Sequence, residues 1–264
     1  MSEFDPRQYW EKRLADNYGL NAVGYWSMGT NFNRWMYRVR KAVFLKIVRS
    51  LKINLREASV LDIGSGTGFY IDLWKKLDVE SITGVDITSV AVRELSEKFS
   101  DASFHQMDVG DDISALQNNK YDAVSAMDVL FHIVDDEKYI KSIENIYSLL
   151  KPNGYFIYSD NFLHSDRVES SHQVSRSLFE IEKALTNRGF EIVGRKPMFV
   201  LMNFPVDSKN ALFKRMWYRM ERVVSKSEFI GFIAGALLFP LERFLVSLCK
   251  ESATTECMIA RRSG

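Results

Sequence analysis

The segment Val60–Gly68 leads from an apolar strand pattern into a turn that contains three glycines, and a helical pattern follows the turn. Glycine lets a backbone turn sharply and come close to a ligand. The first N–H groups of a helix also have no partner within the helix. The combination of Gly64, Gly66 and Gly68 with a following helix therefore predicts a site for a polar nucleotide cofactor.

The glycine spacing and a nearby acid distinguish between cofactors. A dinucleotide fingerprint has a small residue three positions after its second glycine, where this chain has Phe69. Asp62 lies in the strand just before the turn, where its carboxylate repels a pyrophosphate and attracts an ammonium. The methionine part of S-adenosylmethionine carries an ammonium, so the charge pattern favours that cofactor over a dinucleotide used in hydride transfer.

Two further acids follow apolar runs. Asp86 ends the run Ser81–Asp86, about 20 residues after the glycine turn, where an acid accepts hydrogen bonds from ribose hydroxyls in doubly wound folds. Asp108 follows the run Phe104–Met107, and its carboxylate is a candidate acceptor for the adenine amino group. Each acid taken alone is equally typical of a helix N-cap or a turn, so the interpretation depends on all the motifs together.

The order of these motifs resembles the class I S-adenosylmethionine-dependent methyltransferases. The resemblance extends over roughly residues 60–193 and comprises a first motif at Val60–Gly68, a second at Gly84–Ile87, a third at Met107–Val109, a fourth strand with its exit at Tyr121–His132, and a helix, turn and fifth strand at Leu149–Ile157. It implies an α/β fold with a doubly wound, mostly parallel, seven-stranded, Rossmann-like sheet. It also implies these cofactor-binding residues: Asp62, Gly64, Ser65, Gly66, Gly68, Asp86, Ile87, Asp108, Val109 and Met127.

Segments outside the motifs suggest an N-terminal lid and an insertion. Apolar residues recur at helical spacing over Asn33–Lys52, and aromatic residues precede them. In the family that the chain resembles, such segments close over the cofactor, so Tyr9 and Trp10 are predicted cofactor contacts; the alternative is that they anchor a terminal helix. We expect a helical lid at 1–52, a core at 53–206, a helical insertion at 207–250 and the last strand of the sheet at 251–264.

The insertion joins a basic amphipathic helix to an uncharged run. Residues 212–224 form an apolar stripe that is opposed by lysines and arginines. Residues 229–241 carry no charge, are interrupted by Pro240 and are too short to span a membrane, so we expect them to be buried or interfacial. Three interpretations compete: a cap on the substrate pocket, which we favour, a homodimer interface, or contact of 209–248 with an anionic membrane surface near a lipid-linked substrate.

Composition restricts the partners and the compartment. The formal net charge of +1 provides no overall field to attract nucleic acid. The chain has two cysteines and begins with polar and acidic residues, which favours a reducing cytoplasm. No stretch reaches the roughly 20 apolar residues of a membrane span, and the histidines and cysteines lack metal-ligand spacing, so we expect no metal. Asp128, Asp160 and Asn161 resemble the oxygen ligands of some metal-dependent methyltransferases, which leaves a hard cation as the minor alternative.

His132 follows the predicted fourth strand and is the candidate catalytic base, because imidazole titrates near neutral pH. The alternative is a packed histidine that orients the loop. Residues 127–130 lack the proline-containing cluster that many nucleobase-methylating relatives carry. We therefore expect an enzyme that methylates a small molecule, at a hydroxyl oxygen. The alternatives are a noncatalytic cofactor-binding partner subunit and a membrane-surface enzyme with a lipid-linked substrate.

Overall fold

Seven of nine strands form one mixed sheet in the computed structural model, which describes residues 4–264. The sheet order is β3-β2-β1-β4-β5-β9-β8, and β9 alone runs antiparallel to its neighbours. In chain order the strands are β1 (Ser59–Ile63), β2 (Ser81–Asp86), β3 (Ser103–Gln106), β4 (Tyr121–Met127), β5 (Leu150–Asp160), β6 (Val168–Ser170), β7 (Gln173–Ser175), β8 (Phe190–Pro197) and β9 (Glu256–Arg262). Strands β6 and β7 form a separate hairpin. The expected seven-stranded, doubly wound fold is confirmed.

Within residues 4–264, eight α-helices accompany these strands, and most begin at a polar capping residue. The helices are α1 (Pro6–Asp16), α2 (Gly29–Ser50), α3 (Phe69–Lys75), α4 (Ser89–Lys98), α5 (Asp136–Leu149), α6 (Leu178–Arg188), α7 (Ala211–Val224) and α8 (Glu228–Leu248). Helix α6 has local capping signals at both ends. Ser177 and Glu180 form a capping box at its start. Gly189 ends the helix in a left-handed conformation.

The core consists of two layers on either side of the sheet, because successive strand residues point to opposite faces. Val60 packs in the layer that contains Phe44 of α2 and Trp74 of α3. Leu61 packs in the layer that contains Ile143 of α5 and Leu185 of α6. Strand β1 lies between β2 and β4, where the connections leave in opposite directions along the sheet. A doubly wound sheet binds its ligands at the carboxyl ends of the strands at such a point.

Helix α8 corrects two expectations about the insertion. It continues through Pro240 to Leu248, so the apolar run is not broken at the proline. It is also the one helix of the described residues long and apolar enough to cross a membrane, with a mean hydropathy of 1.8 over an 18-residue window of which 17% is buried. The expectation that no stretch has this length was wrong because the helix continues past the end of the uncharged run 229–241, through Glu242 and Arg243, to Leu248. In the fold Glu242 turns inward and accepts the N–H groups of Val200 and Leu201.

Candidate functional site

A cavity of about 1060 Å³ opens at the carboxyl ends of the central strands. Residues that follow four consecutive strands contribute to its wall: 63–67 after β1, 86–87 after β2, 107–109 after β3 and 127–129 after β4. Parts of α1 and α2 and the residues that connect them close the opposite side. The cavity therefore occupies the position in which doubly wound folds bind nucleotides.

The three glycines of the turn have two different structural roles. Gly64 and Gly66 line the cavity together with Ser65, whereas Gly68 does not. Gly66 has a φ of +51°, and a Cβ on it would lie 3.2 Å from a methyl group of Val23. Gly68 starts α3 with a φ of +80°, and its Cβ would lie 2.6 Å from Leu95 of α4. Gly66 thus lets Val23 of the N-terminal segment come close to the turn, and Gly68 lets α3 and α4 approach each other.

Asp86 lies at the end of β2 with its carboxylate at the cavity wall. One oxygen accepts the N–H of Gly66 at 2.8 Å, and the other accepts the N–H and the hydroxyl of Thr88 at 2.9 and 2.7 Å. Burial raises the pKa of Asp86 above its ordinary value, against these hydrogen bonds, which lower it. An ionised carboxylate has about four accepting positions, so one remains for a ligand hydroxyl.

Asp62 lies beneath the turn and outside the cavity wall. Strand alternation directs its side chain into the core, where Oδ1 accepts the Ser125 hydroxyl at 2.6 Å. The same hydroxyl oxygen accepts the indole N–H of Trp74 at 3.0 Å. Burial raises the pKa of Asp62 to about 7. Asp62 is therefore not placed to contact a ligand ammonium, although such a contact was predicted. Its hydrogen bonds instead connect β1, β4 and α3.

Asp108 and three apolar residues form the wall beyond the ends of β2, β3 and β4. Ile87, Val109 and Met127 line the cavity together with Asp108. The Asp108 carboxylate accepts the N–H of Gly110 at 2.9 Å and the ammonium of Lys138 at 3.1 Å. A flat, apolar slot with a carboxylate at its edge suits an aromatic base that carries an amino group.

Helix α1 covers the cavity with aromatic side chains and one cation. Trp10 lines the cavity and meets the His132 ring edge-on at 4.9 Å. Tyr9 is not part of the cavity wall; it stacks on His172 and accepts a hydrogen bond from Arg13 at 3.0 Å. Arg13 lines the cavity, and its Nε has no hydrogen-bond partner among the described residues. Sequence reasoning missed Arg13, whose spacing from Tyr9 and Trp10 on a helix was the available signal.

The helix α1 is attached to the core at two points. Glu11 accepts the N–H of Ser89 at 2.7 Å and that of Val90 at 3.2 Å, at the start of α4. In the segment that follows α1, Tyr18 donates its hydroxyl to the carbonyl of Gly66 at 2.9 Å. The N-terminal segment and the glycine turn are therefore positioned by the same contacts.

His132 lies in the cavity wall with a defined tautomer. Its Nδ1 is 2.9 Å from the carbonyl oxygen of His172. Because a carbonyl only accepts hydrogen bonds, Nδ1 carries the proton and Nε2 keeps a lone pair. Burial lowers the pKa of His132 to about 4. The imidazole is thus neutral near pH 7, with one nitrogen committed to the loop and the other available to accept a proton.

The cavity floor contains a buried ion pair between Arg40 of α2 and Asp128, which follows β4. Asp128 adopts a left-handed φ of +60°, and the Ser159 hydroxyl both accepts its N–H at 2.8 Å and donates to its carboxylate at 2.7 Å. Burial lowers the pKa of Arg40, but the Asp128 carboxylate, Tyr70 and Tyr37 together outweigh it and keep the pKa above its ordinary value. The second carboxylate oxygen of Asp128 is thus committed to a guanidinium.

No group of three or more His, Cys, Asp or Glu side chains within residues 4–264 is arranged to hold a metal ion. Asp160 lies outside the cavity wall, and its carboxylate accepts the N–H of Asn161 at 2.7 Å. Asn161 lines the cavity and donates to the hydroxyl of Ser175 at 2.7 Å. Asp128, Asp160 and Asn161 are therefore engaged with protein groups.

The insertion does not contribute to the cavity wall. Phe204 and Val206 line the cavity, but no residue from 207 to 250 does, and the structure describes all of them. Trp217 of α7 packs against Tyr25 and Phe204, which do line the cavity, so the favoured interpretation of this segment as a cap is reduced to support of the wall from outside.

Comparison with known proteins identifies a family that part of this chain matches. Residues 60–154 match the family described as "Methyltransferase domain". The chain is 29% identical over 150 residues to a ribosomal protein methyltransferase of Bacillus licheniformis, over 55% of this chain and 42% of the relative. It is 30% identical over 122 residues to the ubiquinone biosynthesis O-methyltransferase of Histophilus somni, over 44% of this chain and 50% of the relative. The chain thus spans half or less of the length of these two relatives.

A solved structure matches the whole length of the chain. Magnesium protoporphyrin IX methyltransferase from Synechocystis PCC 6803, crystallised with bound S-adenosylmethionine, superposes with a TM-score of 0.58, 16% identity and coverage of 100% of both chains. At this identity the likeness concerns the fold, including the helices outside the matched residues 60–154.

Proposed function

Because the chain belongs to the class I S-adenosylmethionine-dependent methyltransferase family, with residues 60–154 as its methyltransferase domain, we propose that it transfers a methyl group to a hydroxyl oxygen of a small molecule. The observation that carries this proposal is the tautomer of His132. Its Nδ1–H donates to the carbonyl oxygen of His172, so the free lone pair is on Nε2. His132 is itself a residue of the cavity wall. A hydroxyl acceptor needs such a base, because it must lose a proton during transfer.

The residues of the cavity fit the cofactor. Gly66 provides a cradle that a Cβ would fill, and Asp86 keeps an accepting position for a ribose hydroxyl. Ile87 and Val109 line the cavity and would offer apolar contacts to the adenine, and the Asp108 carboxylate would accept from its amino group. The unpartnered Nε of Arg13 supplies a cationic donor for a carboxylate. When bound, S-adenosylmethionine supplies an electrophilic methyl group attached to its sulfonium sulfur. The remainder of the cofactor then leaves as a neutral thioether.

The chain's own part in the reaction is to hold the acceptor and remove its proton. The walls formed by Trp10, Phe204 and other apolar side chains exclude water and restrict the acceptor's orientation. As the acceptor oxygen bonds to the methyl carbon, its proton passes to Nε2 of His132. Burial lowers the pKa of His132 to about 4, and the charge of Asp128 opposes only part of this lowering, so the imidazole starts the step neutral and returns its proton to solvent after transfer.

The test supplies methyl-labelled S-adenosylmethionine and a metabolite extract to the purified protein and separates the label into aqueous, organic-soluble and macromolecular fractions. Label is expected in a small-molecule fraction. Asp86→Ala should weaken cofactor binding at least about tenfold, because it removes hydrogen bonds to a charged group. The matched control is Asp112→Ala, which removes an exposed acid that bonds only to Ser114.

His132→Gln separates catalysis from packing. The glutamine amide can still donate to the carbonyl of His172, but it takes no proton. Turnover should fall about 100-fold or more with unchanged cofactor affinity, whereas His164→Gln, an exposed residue paired with Asp207, should behave like the parent chain. Bound cofactor without any transferred label would instead support a noncatalytic cofactor-binding subunit, and full turnover in His132→Gln would remove His132 as the base.

A further inference from the structure

Helix α8 presents a continuous apolar surface to solvent. We define the α8 face as Phe229, Ile233, Leu237, Leu241, Phe244 and Leu248, whose exposed fractions lie between 42% and 72%. Their spacing of three or four residues places them on one side of the helix. A surface of six large apolar side chains in a row is more than a soluble monomer usually leaves in water, so the α8 face indicates a partner.

The opposite side of α8 is fixed against the protein. A Cβ on Gly235 would lie 2.3 Å from the Trp35 ring of α2, so the two helices meet closely here. Glu242 is fully buried and accepts the N–H groups of Val200 and Leu201 at 2.6 and 2.8 Å. Because these contacts use the glycine and acid side of the helix, its large apolar side is directed outward.

The charges around this surface are separated by sign. Residues 209–250 contain eight basic and three acidic side chains, a formal charge of +5 in a chain whose total is +1. Each of the three acids is hydrogen-bonded within the fold: Glu221 to the hydroxyl of Ser27, Glu228 to N–H groups at the start of α2, and Glu242 as described.

Helix α7 adds exposed cations beside exposed apolar groups. Arg215, Arg219 and Arg222 are exposed, and Leu212 and Met216 on the same helix are 63% and 58% exposed. Apolar insertion combined with flanking arginines is the combination that binds an interfacial helix to anionic lipid headgroups.

We propose that α7 and α8 dock this protein on the surface of an anionic lipid bilayer, with α8 lying in the membrane plane and the α8 face inserted among the lipids. A spanning orientation would detach α8 from α2 and leave the Glu242 carboxyl in hydrocarbon, which is unfavourable. A second copy paired through the same faces would bring two surfaces of charge +5 together. The bilayer alone satisfies both the apolar face and the cations.

Sedimentation of the full chain with vesicles tests this proposal. The probes are vesicles of phosphatidylcholine alone and of phosphatidylcholine with phosphatidylglycerol at roughly three to one. The chain should sediment with the anionic vesicles, and Leu237→Ser combined with Phe244→Ser should lower the partition coefficient at least about tenfold. Arg215→Gln and Arg219→Gln should each lower it about fivefold.

Matched controls come from α6, on the other face of the sheet. Phe179 is 73% exposed and Arg188 is exposed, so Phe179→Ser and Arg188→Gln make the same types of change away from the proposed surface and should bind like the parent chain. Far-ultraviolet circular dichroism of every variant checks that the fold is retained.

Three results would overturn the proposal. The first is equal binding to neutral and anionic vesicles. The second is a partition coefficient on anionic vesicles that about 1 M salt leaves unchanged, where headgroup charges are screened, because it removes the arginines of α7 from the binding. The third is a dimer, detected by sedimentation velocity without lipid, that Leu237→Ser with Phe244→Ser converts to monomer, because it assigns the α8 face to a second copy.

Discussion

The ion pair of Arg40 and Asp128 gives a prediction whose size follows from the structure. Their side chains are 9% and 21% exposed. The carboxylate is also bonded to Ser159, and the guanidinium lies 4.9 Å from the centre of the Phe199 ring. Both side chains border the cavity but are largely shielded from bulk water, so each depends mainly on the other for its stabilisation.

Removal of either partner should cost about 3 to 5 kcal/mol of unfolding free energy, since the remaining charge stays buried. In Arg40→Met the guanidinium over the Phe199 ring is lost and Asp128 is unpaired. In Asp128→Asn the amide still accepts from Ser159, and asparagine tolerates the left-handed φ. At about 2 to 4 °C for each kcal/mol, the melting temperature should fall by roughly 6 °C or more in each single variant. The double variant buries no charge, so it should recover at least about 2 kcal/mol of the summed cost.

Urea unfolding of the four proteins of this cycle at pH 7, followed by circular dichroism, measures the coupling. The control cycle uses Arg56→Met and Asp78→Asn, because Asp78 has a similar φ of +59° but its pair is 82% and 83% exposed. Coupling there should stay below about 1 kcal/mol. If the two cycles give the same coupling, burial does not set the strength of the Arg40–Asp128 pair and the argument fails.

Two further predictions concern the cavity wall. Burial lowers the pKa of His132 from 6.5 to about 4, so the unfolded chain takes up the proton first as pH falls. The contribution of neutral His132 to the free energy of unfolding is therefore complete above about pH 6.5 and is lost towards pH 4. The loss is at most about 3 kcal/mol, because cavity water lessens the effect. Urea unfolding across this range should show a flatter pH dependence in His132→Gln. Glu11→Gln weakens the contact of α1 with Ser89, so hydrogen exchange over residues 6–16 should quicken while global stability falls by only about 1 kcal/mol; unchanged exchange would argue against this contact as the anchor of α1.

Elements with local signals were predictable from the sequence. Helix α6 spans Leu178–Arg188, and the residues that bound it, its capping box and its terminal glycine, are sequence neighbours of the helix. The glycine turn and Asp86 come together as predicted because the ends of adjacent parallel strands share one edge of the sheet. Each of these inferences needs only the spacing along the chain.

Side-chain environments that depend on distant segments were not predictable in this way. Strand alternation would place Asp62 on the side of Val60, but only the fold brings Ser125 and Trp74 to that side. Arg40 is a similar case. It follows Met36 by four residues within the apolar stripe of α2, which signals a buried cation, but the sequence does not reveal that its partner is Asp128.

The two sides of helix α8 carry different kinds of residue. Its length and hydropathy fit a spanning, a buried or an interfacial helix equally well. Gly231, Gly235 and Glu242 fall on one side, at intervals of four and seven residues, and this is the side that the protein covers. Small residues that permit close packing and an acid that accepts backbone N–H groups are useful against protein and unfavourable against lipid. The opposite side has large apolar groups and no acid, which is favourable only against an apolar phase outside the fold, and a bilayer bordered by anionic headgroups is the phase that its neighbouring arginines match.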